Sequence, residues 1–306
     1  MQEPNLQHLI VGDPAAHTGA PRRMAYWDWP CAAGDGRHVV VCVHGLSRQG
    51  RDFDTLARAL SERSRVVAVD VAGRGRSDWL ADPMRYQVPT YAADLAALLT
   101  HLRAQTPGAV IDWVGTSMGG LIGMAVAAQP ALAPRRLVLN DVGPAIQWAA
   151  LQRISTYLGL NPSFDSEQAA MDYLASISTG FGPHTPEQWR ALSLPLLRGR
   201  EGRWWLHYDP AIAVPLKALT GMADQTAARQ LARDGEAALW GLYDAITAPT
   251  LLLRGQQSDL LTPATAAEMG RRGPKARCVV FEGVGHAPTL VADDQVAAIR
   301  DFLWSD

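Results

Sequence analysis

The sequence predicts an α/β protein: a mostly parallel eight-stranded sheet with helices on both faces and an α-helical insertion. Three observations predict it. Eight short β-rich runs alternate with helix-length amphipathic runs. One of those runs, Val39-Val40-Val41-Cys42-Val43, is apolar throughout, as a strand covered on both faces should be. The alternation then breaks between Pro144 and Thr247 and resumes afterwards.

In chain order, the strand runs are Leu6–Val11, Met24–Trp29, His38–Val43, Arg65–Asp70, Val110–Val114 and Arg136–Asn140, then Thr250–Arg254 and Arg277–Phe281. Helices are predicted over Phe53–Glu62, Thr90–Arg103, Met118–Gln129, Pro263–Arg271 and Asp293–Phe302. Within the second of these, Leu95, Leu98, Leu99 and Leu102 recur at helical spacing. Residues 144–247 give helical segments separated by breaks such as Asn161-Pro162 and Gly182-Pro183, with no strong strand signal. Five of the ten tryptophans fall there: Trp148, Trp189, Trp204, Trp205 and Trp240. The expected organisation is a core of residues 1–143 and 248–306, with residues 144–247 as a helical cap inserted into it.

Composition narrows the class. Of 306 residues, 48% are apolar and 19% charged, enough core material to exclude a disordered chain. A formal net charge of −2 argues against binding nucleic acid or an anionic membrane through charge. Cys31, Cys42 and Cys278 cannot form a fully paired disulfide framework, which points to a reducing, cytoplasmic setting. Cys42 and Cys278 lie in apolar runs and are expected to be small buried residues. Met1-Gln2-Glu3-Pro4-Asn5 lacks the basic and apolar pattern of an export signal. The uncharged stretch Trp113–Pro134 is long enough to span a membrane. Its glycines, two prolines and polar Thr116, Ser117 and Gln129 instead fit a strand, a tight turn and a buried helix.

Chemistry concentrates at strand ends. Gly115-Thr116-Ser117-Met118-Gly119 follows an apolar strand and precedes a helix. That context holds a serine on a sharp turn, pointing out of the sheet, while the glycines let strand and helix approach. The helix begins at Met118, whose free amide can donate to a developing oxyanion. Asp259 follows the seventh strand run and His286 the eighth, so serine, carboxylate and histidine gather at the edge where open α/β sheets build their sites. Neutral His286 would take the Ser117 proton, and Asp259 would orient the ring. Asp141, after the sixth run, is the rival acid. Asp259 is preferred because Gly255 and the helix start Leu260-Leu261-Thr262-Pro263 match the common site. His44-Gly45-Leu46 follows the third run, and the Leu46 amide is the expected second oxyanion donor. The His44 ring is expected to bond local backbone and not to act as the base.

With these residues in hand, the chain resembles the α/β-hydrolase superfamily over nearly its whole length. The resemblance rests on His44-Gly45, Asp70-Val71-Ala72-Gly73-Arg74-Gly75-Arg76-Ser77, the Ser117 turn, Gly255 to Asp259, and Gly285-His286. It implies a cap inserted after the sixth strand and leaves the substrate open. Dehalogenases and epoxide hydrolases of this fold carry aspartate where Ser117 stands. Carbon–carbon bond hydrolases often show Ser-Met-Gly-Gly, as at Ser117–Gly120, but their glycine- and proline-rich oxyanion loop is absent, since Leu46-Ser47-Arg48 follows His44-Gly45. The segment Trp205–Pro210 is similar to one in the caps of a bacterial esterase-like subgroup.

The reading is a serine esterase for small to medium carboxylic esters, acting through an acyl-enzyme. No metal or nucleotide motif is present, so no cofactor or metal is expected. The alternatives are a thioesterase, a lactonase, an oligo-hydroxyalkanoate hydrolase, a carbon–carbon bond hydrolase, a cofactor-free perhydrolase, or a receptor that retains ligand without turnover. The tryptophan-rich cap is expected to close a pocket of limited reach above Ser117.

Overall fold

Residues 3–12 and 19–305 are described by this computed structural model. The N-terminal reading therefore rests partly on Met1 and Gln2, which lie outside the described residues. Six strands come first: β1 (Asn5–Val11), β2 (Arg22–Trp29), β3 (His38–Val43), β4 (Arg65–Val69), β5 (Val110–Thr116) and β6 (Leu137–Asn140). Three short strands follow, β7 (Ser163–Phe164), β8 (Leu197–Arg200) and β9 (Arg203–Leu206). Then β10 (Thr250–Gly255) and β11 (Arg277–Phe281) complete the main sheet. Its order is β1-β2-β4-β3-β5-β6-β10-β11. Only the β1–β2 and β2–β4 pairings are antiparallel; β4 to β11 run parallel. This is the predicted α/β architecture, an α/β-hydrolase fold.

Burial along β3 explains why its run is unbroken. Val39, Val41 and Val43 enter one core cluster, while Val40 and Cys42 enter the other on the opposite face. All five are fully buried. Each buried valine contributes roughly 1.5–3 kcal/mol, so the four on this strand anchor the middle of the sheet. The helices α1 (Asp54–Leu60), α2 (Val88–Gln105) and α3 (Met118–Ala127) cover the first half of the sheet. In α2 the predicted stripe of Leu95, Leu98, Leu99 and Leu102 is completely buried. The uncharged stretch from Trp113 divides into the end of β5, a turn and α3. Among the described residues no helix is long and apolar enough to cross a membrane.

Between β6 and β10 lies the insert, with α4 (Trp148–Tyr157), α5 (Glu167–Ile177), α6 (Pro186–Ser193), α7 (Val214–Thr220) and α8 (Gln225–Asp244). Beyond β10 the chain adds α9 (Pro263–Met269) and α10 (Asp293–Trp304). The insert is not all helical: β7, β9 and β8 form a three-stranded antiparallel sheet. Strands of two to four residues are too short to show alternation. The β8–β9 turn also hides itself, because Glu201 and Gly202 both adopt positive φ, 50° and 75°. That is the backbone of a two-residue type I′ hairpin, usually announced by Asn-Gly.

Cys278, expected to be buried, is exposed, whereas Cys42 is buried as expected. β11 is the edge strand of the sheet, so an apolar run there need not be covered.

Candidate active site

The sheet order brings the C-terminal ends of β3, β5, β6, β10 and β11 into one row. Ser117 follows β5 with φ 52° and ψ −115°, a conformation foreign to most side chains. Both flanking glycines are required by contact. A Cβ on Gly115 would lie 2.3 Å from the Gly119 carbonyl oxygen, and one on Gly119 would lie 1.9 Å from the Val43 carbonyl oxygen. The Ser117 amide donates to the Asn140 carbonyl at 3.0 Å, tying the turn to the end of β6.

His286 connects two side chains. Its Nε2 lies 3.0 Å from Ser117 Oγ, and its Nδ1 lies 2.7 Å from Asp141 Oδ2. The structure thus joins Ser117 and His286 as expected, but the carboxylate on His286 belongs to Asp141 and not to Asp259. The reason is local. Thr116 pairs with Asn140 across β5 and β6, so the next residues of the two strands, Ser117 and Asp141, emerge side by side. Asp141 is fully buried and turns sharply, with φ 56°. Its Oδ1 accepts the Gly255 amide at 2.9 Å, and its Oδ2 also accepts the Ser258 hydroxyl at 2.6 Å.

Asp259 instead extends to the mouth of the cavity. Its carboxylate lies 2.6 Å from an Arg153 guanidinium nitrogen, and its side chain is 55% exposed. Gly255, read from sequence as part of an Asp259 motif, serves Asp141. A Cβ there would lie 2.2 Å from the Gly285 carbonyl oxygen, so only glycine lets the end of β10 pass beneath the His286 loop. The supporting Ser258 was missed, although it stands next to the residue that was chosen.

Of the two predicted oxyanion residues, Met118 follows Ser117 directly and Leu46 lines the same cavity. Met118 opens α3, where the first amides have no acceptor within the helix. Leu46 follows β3, and a Cβ on its neighbour Gly45 would lie 3.7 Å from the Ser117 Cβ. Arg74 links the two. Fully buried, its guanidinium donates to the carbonyls of Leu46 (2.8 Å) and Ala72 (2.7 Å) and to the Tyr91 hydroxyl (2.9 Å), and contacts Met118 Sδ at 3.6 Å. Arg74 carries no individual signal in the sequence beyond its place in the Gly73-Arg74-Gly75 turn. A cation inside a glycine-rich turn reads as a surface residue until the fold buries it.

His44 is also buried. Its Nδ1 donates to the Gly45 carbonyl at 2.7 Å and its Nε2 accepts the Val71 amide at 3.0 Å. Burial lowers its pKa to about 3, so the ring stays neutral and braces the turn after β3.

Above these groups lies a cavity of about 490 Å³, reaching from Ser117 and His286 to the insert. Its apolar wall includes Ile154, Leu158, Leu174, Ile177, Phe181 and Leu206. Among the described residues no tryptophan lines it. Instead Trp240 packs edge-on against Tyr243, and Trp189 stacks near Phe181. Tyr208 does reach the cavity, with its hydroxyl on the Leu160 carbonyl at 3.0 Å. The neighbouring backbone ties insert to core through Asp209 N–H to the Gly73 carbonyl and Gly75 N–H to the His207 carbonyl. Among the described residues no cluster of side chains could hold a metal ion.

Comparison with known proteins identifies the family and the fold. The sequence model of the alpha/beta hydrolase family matches residues 40–299. A 3-hydroxybutyrate-oligomer hydrolase of Cupriavidus necator is 48% identical over 285 residues, covering 92% of each chain. An esterase of Mycobacterium tuberculosis is 30% identical, covering 86% of this chain and 80% of its own. The crystal structure of an alpha/beta hydrolase from Novosphingobium aromaticivorans superposes with a TM-score of 0.81 at 34% identity, covering 99% of each chain.

Proposed function

The chain belongs to the alpha/beta hydrolase family and is a carboxylic ester hydrolase; from that premise we propose that it cleaves short hydroxyalkanoate oligomers through an acyl-enzyme on Ser117. The observation that carries the reading is the chain of contacts from Ser117 Oγ through His286 to Asp141.

Neutral His286 accepts the Ser117 proton at Nε2 as Oγ attacks the ester carbonyl. Asp141 accepts the Nδ1–H, fixes the ring and stabilises the imidazolium. The amides of Leu46 and Met118 receive the negative charge on the carbonyl oxygen, each worth roughly 3–4 kcal/mol in the transition state. The C–O bond breaks, and the leaving alkoxide takes the proton from His286. Water then gives a proton to His286 as its oxygen bonds the acyl carbon; the bond from that carbon to Ser117 Oγ breaks, His286 returns the proton to Oγ, and the acid leaves. Asp259 has no part in these steps.

Residues 144–247 act in this reading as the cap, and residues 1–143 with 248–306 as the core. The substrate class is supported by the Cupriavidus necator relative, whose name states that it hydrolyses 3-hydroxybutyrate oligomers. An apolar wall of medium-sized side chains suits four-carbon methyl-bearing units. A cytoplasmic setting belongs to the same reading, supported by three free cysteines.

The test is turnover of 3-hydroxybutyrate dimer and trimer beside aryl esters from acetate to palmitate and a triglyceride emulsion. Oligomer cleavage is expected, with aryl ester kcat/KM peaking at short or medium acyl length. Rates rising to palmitate, with a jump on emulsification and no oligomer cleavage, would contradict the proposal.

A further inference from the structure

The cavity holds two arginines, and they differ in availability. Arg48 is committed. It makes a two-point contact with Asp52 at 2.6 and 2.8 Å and donates to the Leu192 carbonyl at 3.1 Å. Both members of that pair are largely covered, their side chains 13% and 19% exposed. Arg153 is not committed in this way. Its ion-pair contact with Asp259 joins side chains that are 48% and 55% exposed. Water screens such a pair, so opening or sharing it costs little.

Arg153 also stands where a ligand would meet it. On α4, Arg153, Ile154 and Tyr157 line the cavity that contains Ser117, as does Leu158 just beyond the helix. Tyr157 lies one turn beyond Arg153, and burial raises the Tyr157 pKa, so the phenol keeps its proton. A guanidinium carries five N–H donors in a fixed fork. One contact to Asp259 leaves donors for a second carboxylate.

We propose that Arg153 and Tyr157 form a binding site for the free terminal carboxylate of an oligomeric ester, with Asp259 occupying the arginine until that carboxylate arrives. This rests on the hydroxyalkanoate reading above. Every such oligomer, whatever its length, ends in one carboxylate. The apolar wall beside Arg153 would strip water from that end without replacing its hydrogen bonds, and Asp259 alone would repel it. Arg153 supplies both charge and donors. The acidic residue beyond β10 thus has a role in substrate choice and none in proton transfer.

The roles of Arg153 and Asp259 have opposite signs, which makes the proposal testable. The measurement is kcat/KM for 3-hydroxybutyrate trimer as the free acid and as its methyl ester, with wild type, Arg153→Met and Asp259→Asn. The readout is the acid-to-ester ratio, which cancels losses of folded protein. Arg153→Met should lower that ratio at least about tenfold, as loss of a charge-assisted contact implies. Asp259→Asn should raise it, because the competing internal carboxylate is gone. An unchanged ratio in Arg153→Met, or a fall in both variants, overturns the carboxylate site while oligomer cleavage still supports the broader reading. If wild type cleaves aryl esters but neither form of trimer, the hydroxyalkanoate reading falls and this site falls with it.

Discussion

The sheet edge and the insert above it hold their polar groups in contrasting ways. At the edge, Asp141 is fully buried and its carboxylate is fixed by the Gly255 amide, the Ser258 hydroxyl and His286. Arg74, equally buried, spans four partners. In the insert, Arg153 stands half in solvent on an exposed carboxylate. Groups that must be in position before substrate arrives are over-determined by strand ends, whereas groups that meet variable substrate are left adjustable. The contrast assigns two aspartates of one site to different tasks.

The largest expected effect is on the buried side of that contrast. Asp141→Asn should lower kcat on the order of 10⁴-fold, because the amide no longer orients and stabilises a charged imidazole. Asp259→Asn should cost less than about tenfold on a neutral aryl ester, the modest effect of an exposed pair. Steady-state kinetics on both variants, with circular dichroism to verify folding, makes the comparison. The reverse ranking would restore Asp259 as the acid.

Next comes Arg74→Met, which keeps volume and removes the guanidinium. If Arg74 holds Leu46 and Met118 in register, kcat should fall about 10²-fold, the scale of one oxyanion contact, with little change in KM. Arg74→Lys should fall between. A rise in KM with kcat intact would place Arg74 with the adjustable groups.

A separate effect is on stability. Burial holds the His44 pKa near 3, against 6.5 for an ordinary histidine. The unfolded chain therefore binds a proton that the native ring refuses, and His44 draws stability down as pH falls from about 6.5 toward 3. The loss is about 1.4 kcal/mol per pH unit. His44→Gln should remove one proton from the slope of unfolding free energy against pH in that window. Equal slopes in urea titrations at pH 4 to 6.5 would show that His44 is not held neutral.

The same contrast governs what the sequence made legible. The central strands of the main sheet were visible because buried β-branched runs such as Val39–Val43 leave a dense local pattern. Ser117 and His286 were legible because a Gly-x-Ser-x-Gly turn and a Gly-His pair carry their context with them. Asp141 was harder to prefer. Its position depends on the register between β5 and β6, a non-local fact, while the sequence around Asp259 offers a more familiar glycine and helix start. The insert was least legible, since its strands are short and its hairpin turn is Glu201-Gly202. Its tryptophans are absent from the cavity lining among the described residues, where Tyr157, Tyr173, Phe181 and Tyr208 of the insert appear.

The claim that Asp141 holds His286 can be measured without turnover. An imidazole Nδ1 proton shared with a buried carboxylate is strongly deshielded, and low-temperature proton NMR of the folded enzyme at acidic pH should resolve it far downfield. The resonance should be present in wild type and in Asp259→Asn, and absent in Asp141→Asn and His286→Ala. Its loss in Asp259→Asn with persistence in Asp141→Asn would contradict the account.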